Sequence, residues 1–214
     1  MQYRLNTLID IVRKELMKTR FSKKQLKRFY KLLSVPMIDF DCGKLCAPEN
    51  DGIPVCCENE GVVPILFNEE YKYYWKNGRF WKRMPPVTKE IKKFIEEAED
   101  YYIFAKCPEH EGCERTKRSI CCRTFPLEPH VSKDGEVIGL AYANARDINC
   151  PLIGRPQTIF NPVYIRNVIK FWQEMFEFYP EEQEMYIDES RKRERRIKRL
   201  QRERKKLSIF RKAK

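Results

Sequence analysis

Apolar side chains recur at helical spacing through the first 34 residues, at Leu5, Leu8, Val12 and Leu16, then at Leu26, Phe29, Tyr30 and Leu33. This period predicts two amphipathic helices paired as a hairpin. Ser22 followed by Gln25 has the form of a capping box that would start the second helix. From residue 35 to 68 the period breaks into a loop-dominated segment rich in Pro, Gly, Asp and Cys, with one short apolar run, Val62 to Phe67, that predicts a strand. Thr88 is placed to cap a helix whose apolar positions are Ile91, Phe94, Ile95 and Ala98. Apolar residues on both sides of Lys133-Asp134-Gly135 predict a hairpin, because glycine accepts the positive φ that the turn demands. Asn161-Pro162 reads as an N-cap with proline at the first helical position. The helix it opens would bury Tyr164, Ile165, Val168, Ile169, Trp172, Met175 and Phe176 and end near Pro180.

These elements predict an α+β fold, mostly helical, with a small, loop-rich, metal-stapled cysteine domain that has short strands and is flanked by helices. The divisions expected are a helical hairpin over 1–38, a cysteine-cluster domain over 39–180, and a highly basic helix or tail over 181–214. Tyr71 to Trp81 holds six aromatics among its eleven residues. Such a stretch could stack bases, but it reads better as a packing wall or lid over the cysteine segments.

Charge sharpens the picture only once it is located. The formal charge is +12, but Ser190 to Lys214 holds 14 of the 43 Lys and Arg and 2 of the 31 acidic residues. That leaves 29 of each sign in the first 189 residues, so the body is formally neutral and the basicity belongs to the tail. The basic segment 190–214 could meet RNA or an acidic protein partner. The opening residues carry no uninterrupted apolar stretch of the kind a secretory signal needs, and the longest apolar run is six residues, far short of a membrane span. A cytoplasmic address, where thiols stay reduced, and no membrane partner are therefore expected.

Composition then supplies the chemistry. Nine cysteines accompany two histidines. Eight fall into two groups, Cys42, Cys46, Cys56 and Cys57, then Cys107, Cys113, Cys121 and Cys122, and Cys150 follows alone. An odd count in a reducing compartment argues against a disulfide framework. Cys42 and Cys46 have a three-residue gap suited to gripping one ion, and Gly43 between them could bend the loop. Adjacent residues of an extended segment point to opposite sides, so Cys56 and Cys57 would divide their roles. His110 stands between Cys107 and Cys113 and reads as a surface histidine.

The second group runs Cys113-Glu114 and Arg118 into Cys122-Arg123-Thr124-Phe125-Pro126, with Cys150-Pro151 later. This layout resembles the zinc- or iron-chelating CxxCxxCC domain family of YkgJ-like cysteine-cluster proteins, over about Asp39 to Gly154. The resemblance implies a ligand set of Cys42, Cys46, Cys56, Cys57, Cys107, Cys113, Cys122 and Cys150, with Cys121 the extra thiol. The chain departs from the pattern in its wider opening spacing, in the nine residues before the vicinal pair, and in Ser119 where the family tends to have proline. The implied cofactor is an iron–sulfur cluster or zinc, since soft thiolates suit both. A structural or redox-sensing centre is favoured over a catalytic one. The resemblance extends to flagellin lysine-N-methylase, but no Gly-x-Gly run suggests a methyl-donor loop.

Overall fold

Ser22 Oγ accepts a hydrogen bond from Gln25 N at 3.2 Å and starts α1, Lys23–Leu32, as the sequence predicts. In the computed structural model, which describes residues 20–57, 63–78, 80–106, 115–144 and 148–212, this helix buries Leu26 and Phe29. The helix expected on Leu5, Leu8, Val12 and Leu16 lies outside the described residues. A one-turn helix, α2, follows at Gly43–Cys46. The predicted strand is present but shorter: β1 is Ile65–Phe67, and it leads directly into α3, Asn68–Lys76. Next come β2, Lys82–Arg83, then α4, Lys89–Glu97, and β3, Tyr102–Lys106. The strands form an antiparallel sheet in the order β1–β3–β2, with Leu66 opposite Ile103 and Arg83 opposite Ala105. After this come α5, Ile120–Thr124, and a hairpin of β4, Leu127–Val131, and β5, Val137–Tyr142. Two long helices close the chain, α6 over Pro162–Phe178 and α7 over Pro180–Lys212. The architecture is therefore α+β and mostly helical. Among the described residues no helix is long and apolar enough to cross a membrane.

The chain divides into two compact units. The first takes the residues through Leu127 together with Tyr142–Val168, and the second takes Glu128–Ala141 with Ile169–Lys214. In the first unit the core gathers Leu66, Tyr71, Tyr74, Trp81, Ile103 and Ala105 on the sheet, with Tyr30, Tyr73, Phe80 and Cys122 packed against it. The aromatic run Tyr71 to Trp81 is thus a packing wall, because its rings are more stable against one another and the sheet than in water. Asn161 Oδ1 accepts from Val163 N at 2.8 Å at the start of α6, as its cap position predicts. Two further bonds tie this end of α6 to the last residue of α1 and the chain beyond it: Asn167 Nδ2 to Leu32 O and Asn161 N to Met37 O, at 2.9 and 2.8 Å.

One predicted face differs. Thr88 caps α4 through a 3.1 Å bond from Ile91 N, but Phe94 remains 53% exposed while its ring meets Phe104 of the sheet, with centroids 4.9 Å apart. Helical period alone does not say how much of an apolar face finds a partner.

The second unit is built on the Asp-Gly hairpin. Gly135 adopts φ +89°, and its carbonyl accepts from Gln183 Nε2 at 2.8 Å. Phe171, Met175 and Tyr179 are fully buried in this unit, and Trp172 meets Phe176 and Tyr186. The first half of α7 is fastened to the hairpin by polar contacts. Val131 N donates to Ser190 Oγ at 2.9 Å, Arg193 pairs with Glu128, and His130 lies 3.5 Å from Glu194.

Candidate metal centre

Asp41 Oδ1 accepts from Gly43 N at 3.0 Å and opens α2, so the three-residue gap of the sequence becomes an i, i+4 relation. Residues at that spacing share one face of a helix, which brings Cys42 and Cys46 to the same side. Cys46 is buried, and its thiol lies 3.7 Å from Gly43 O and 3.9 Å from Cys42 O. Gly43 does not supply the unusual backbone angle that the sequence suggests. Its φ is not positive, and a Cβ there would meet Pro54 Cγ at 3.1 Å. The lack of a side chain allows close approach instead.

The spacer after Cys46 reverses the chain. Asn50 Nδ2 donates to Ile53 O at 2.8 Å, and Asp51 and Gly52 both adopt positive φ. Val55–Cys57 is a 3-10 turn rather than the extended segment expected, so the vicinal thiols do not point to opposite sides. They hydrogen-bond to each other. That bond pushes Cys56 up, with burial behind it, and lowers Cys57 to about 7, where the positive charge of Arg118 helps. The two thiols titrate as a pair, with Cys57 the more acidic member.

The third segment is the most heavily braced. Ser119 Oγ accepts from Cys122 N at 3.3 Å and caps α5, and the same hydroxyl lies 3.3 Å from Cys122 Sγ. The serine thus caps this short helix and meets one of its thiols. Arg123 turns back on its own loop. Its Nε donates to Arg118 O and its Nη2 to Thr116 O, both at 2.8 Å, while its guanidinium stacks on Tyr30 at 4.6 Å. Trp81 Nε1 donates to Lys117 O at 3.1 Å, Tyr74 Oη to Arg118 O at 3.3 Å, and Tyr164 Oη to Arg123 O at 2.9 Å. Beneath them Glu70, fully buried, accepts from Tyr30 Oη and Ile120 N at 2.8 Å and from Phe67 N at 3.2 Å. Burial raises its carboxyl to about 7 against these donors. Cys122 packs on the aromatic core. Cys121 is exposed as a residue, yet the packing around its sulfur pushes the thiol up, with Glu70 adding to the rise and the Ile65 backbone opposing it.

The fourth segment is the turn at Cys150-Pro151. Ile153 N donates to Cys150 O at 3.1 Å, and Arg155 Nε donates to Pro151 O at 3.0 Å. Gly154 has φ +85°, and Leu152 is buried. Burial pushes the Cys150 thiol up, and Cys46 adds to the rise against the N–H groups of Leu152 and Ile153.

These four segments bear on one another electrostatically. The Cys42 thiol is raised by burial first, then by Cys150, Asp41 and Cys46, with Arg118 opposing. Cys56 feels Cys57, Cys122 and Cys42. Six of the eight expected ligands are therefore linked pairwise, Cys42 to Cys150, Cys46 and Cys56, and Cys56 to Cys57 and Cys122, while Arg118 bears on Cys42 and Cys57. All six are free thiols. Cys107, Cys113 and His110 lie outside the described residues. Among the described residues no three His, Cys, Asp or Glu side chains are set as a group that could hold a metal ion. The chemistry of the donor set still suits a soft cation. Thiols that raise one another can ionise together only if positive charge joins them, and Arg118 supplies a single charge.

Among the described residues, Glu70 braces the site from beneath and is missed by sequence reasoning. Its signal is slight: a second acidic residue in the first turn of a helix, three places after Phe67. Glu128, close to the motif in sequence, pairs with Arg193 within the second unit. Compared with family models, with curated proteins and with solved structures, the chain matches none.

Proposed function

We propose that this chain is a cysteine-cluster metal-binding protein in which thiolates hold an iron–sulfur cluster or zinc, in a structural or redox role. One observation carries the reading: six free thiols from four separate segments, 42–46, 56–57, 122 and 150, are linked pairwise by electrostatics. Four segments that each spend backbone hydrogen bonds on loop conformations gain order when an ion ties them together. The resemblance of Cys122-Arg123-Thr124-Phe125-Pro126 to the YkgJ-like pattern supports the same assignment and would add Cys107 and Cys113 to the ligand set. Arg123 serves as a brace, since its guanidinium is committed to Thr116 O and Arg118 O. A reducing, cytoplasmic compartment suits thiols kept for metal.

Anaerobic purification followed by elemental and acid-labile sulfide analysis tests the proposal. Iron with sulfide, or zinc, at one or more ions per chain is the expected result, and a folded, metal-free chain would refute it. Cys122→Ser should lower the metal content, whereas Cys121→Ser should leave it unchanged. Equal loss from both would reverse the ligand assignment within this vicinal pair.

A further inference from the structure

α7 has two unlike sides. Ser190 and Arg193 meet the hairpin of the second unit, and Ile197 and Leu200 continue that side along the helix. On the opposite side Arg191, Arg195, Lys198 and Arg202 follow one another at steps of four, three and four residues, with Arg199 beside them. Those steps keep residues in one line along a helix. All five side chains are exposed, as is every described residue from Glu194 to Lys205. At a rise of 1.5 Å per residue the line from Arg191 to Arg202 is about 16 Å long.

We propose that this line of cations is a binding face for the phosphate backbone of nucleic acid. A nucleic-acid strand in a duplex presents a phosphate about every 3.4 Å along its axis, roughly five over the length of the line. The charge densities therefore match. Four of the five residues are arginine, whose planar fork suits phosphate oxygens. The ion pairs on this face, Arg191 with Asp188 at 3.6 Å and Arg199 with Glu203 at 3.9 Å, are between exposed side chains. Pairs of that kind are weak, and a phosphate can displace them. A membrane surface fits less well. Ile197 and Leu200 are the sole large apolar side chains between Arg191 and Lys205, and Arg193 and Arg204 share their side. The line from Arg191 to Arg202 itself therefore offers too little apolar area to enter a bilayer.

The test uses the full chain with a fluorescent 24-base-pair DNA duplex and follows the binding constant from about 50 to 200 mM salt. Five phosphate contacts predict a log–log slope of about −4.5. Arg195→Gln with Arg202→Gln should reduce it to about −2.7, since each contact contributes about 0.9. Arg196→Gln with Arg204→Gln removes the same charge away from the line and should leave the slope in place. Glutamine is a good helix former, so both variants keep α7. Equal losses from the two variants would overturn the face. So would absence of duplex binding at 50 mM salt, or binding to phosphatidylserine vesicles but not to the duplex.

Discussion

Glu70 shows how a single side chain can position a site without belonging to it. Its carboxyl collects Tyr30 Oη, Ile120 N and Phe67 N, and so joins α1, β1 and the start of the helix that carries Cys122. Burial raises its pKa from 4.5 to about 7, so the folded chain holds this proton more tightly than the unfolded chain. The contribution to stability is thus fully present below pH 4.5 and is lost as pH rises through 7. Two and a half units correspond to roughly 3 kcal/mol across that window. Glutamine resembles the protonated acid, so Glu70→Gln should be close to neutral at pH 5 and gain on the natural chain by pH 8. Paired urea titrations at the two pH values measure this. Glu128 titrates in the same range with the same sign, and it cancels in the comparison. A difference that stays flat from pH 5 to 8 would show that Glu70 keeps its charge.

At the scale of elements, the sequence is legible wherever the signal is local. The caps at Ser22, Thr88 and Asn161 start their helices through short backbone bonds to their own side chains, and Asp134-Gly135 turns a hairpin. Each of these depends on chemistry within four residues. What the sequence does not reveal depends on neighbours distant along the chain: the half-exposed face of α4, the 3-10 turn that joins Cys56 to Cys57, and the reach of Glu70 across 50 residues to Ile120. The hairpin offers a measurable case. Gly135 has φ +89°, and a Cβ there would stand 2.7 Å from Gln183 Nε2, the group that donates to its carbonyl. The flexible amide can move, but the backbone angle is unfavourable for an L side chain. Gly135→Ala should therefore cost about 1–2 kcal/mol, and Gln183→Ala, which removes only the hydrogen bond, about 1 kcal/mol. Denaturant midpoints of the two variants would rank them, and an alanine at 135 that costs nothing would mean that the turn relaxes.

For the molecule as a whole, the division into two units separates the two chemistries. The six described ligand candidates, Cys42, Cys46, Cys56, Cys57, Cys122 and Cys150, lie in the first unit, and the basic helix lies in the second. The net charge of +12 conceals this separation until it is resolved along the chain. The units also differ in what orders them. The second rests on Phe171, Met175 and Tyr179, all fully buried, and on bonds from α7 to the hairpin. The cysteine segments of the first are short turns and single-turn helices, with exposed or half-buried thiols apart from Cys46. Metal held by them would stabilise that unit by mass action, and a chelator would remove the contribution. Hydrogen exchange before and after chelation of anaerobically purified protein should therefore show faster exchange over 42–57 and 119–124. Residues 128–141 and 169–193 should keep their protection. Uniform loss across both units would mean that they unfold together, and no change over 42–57 would mean that the thiols are held by packing alone.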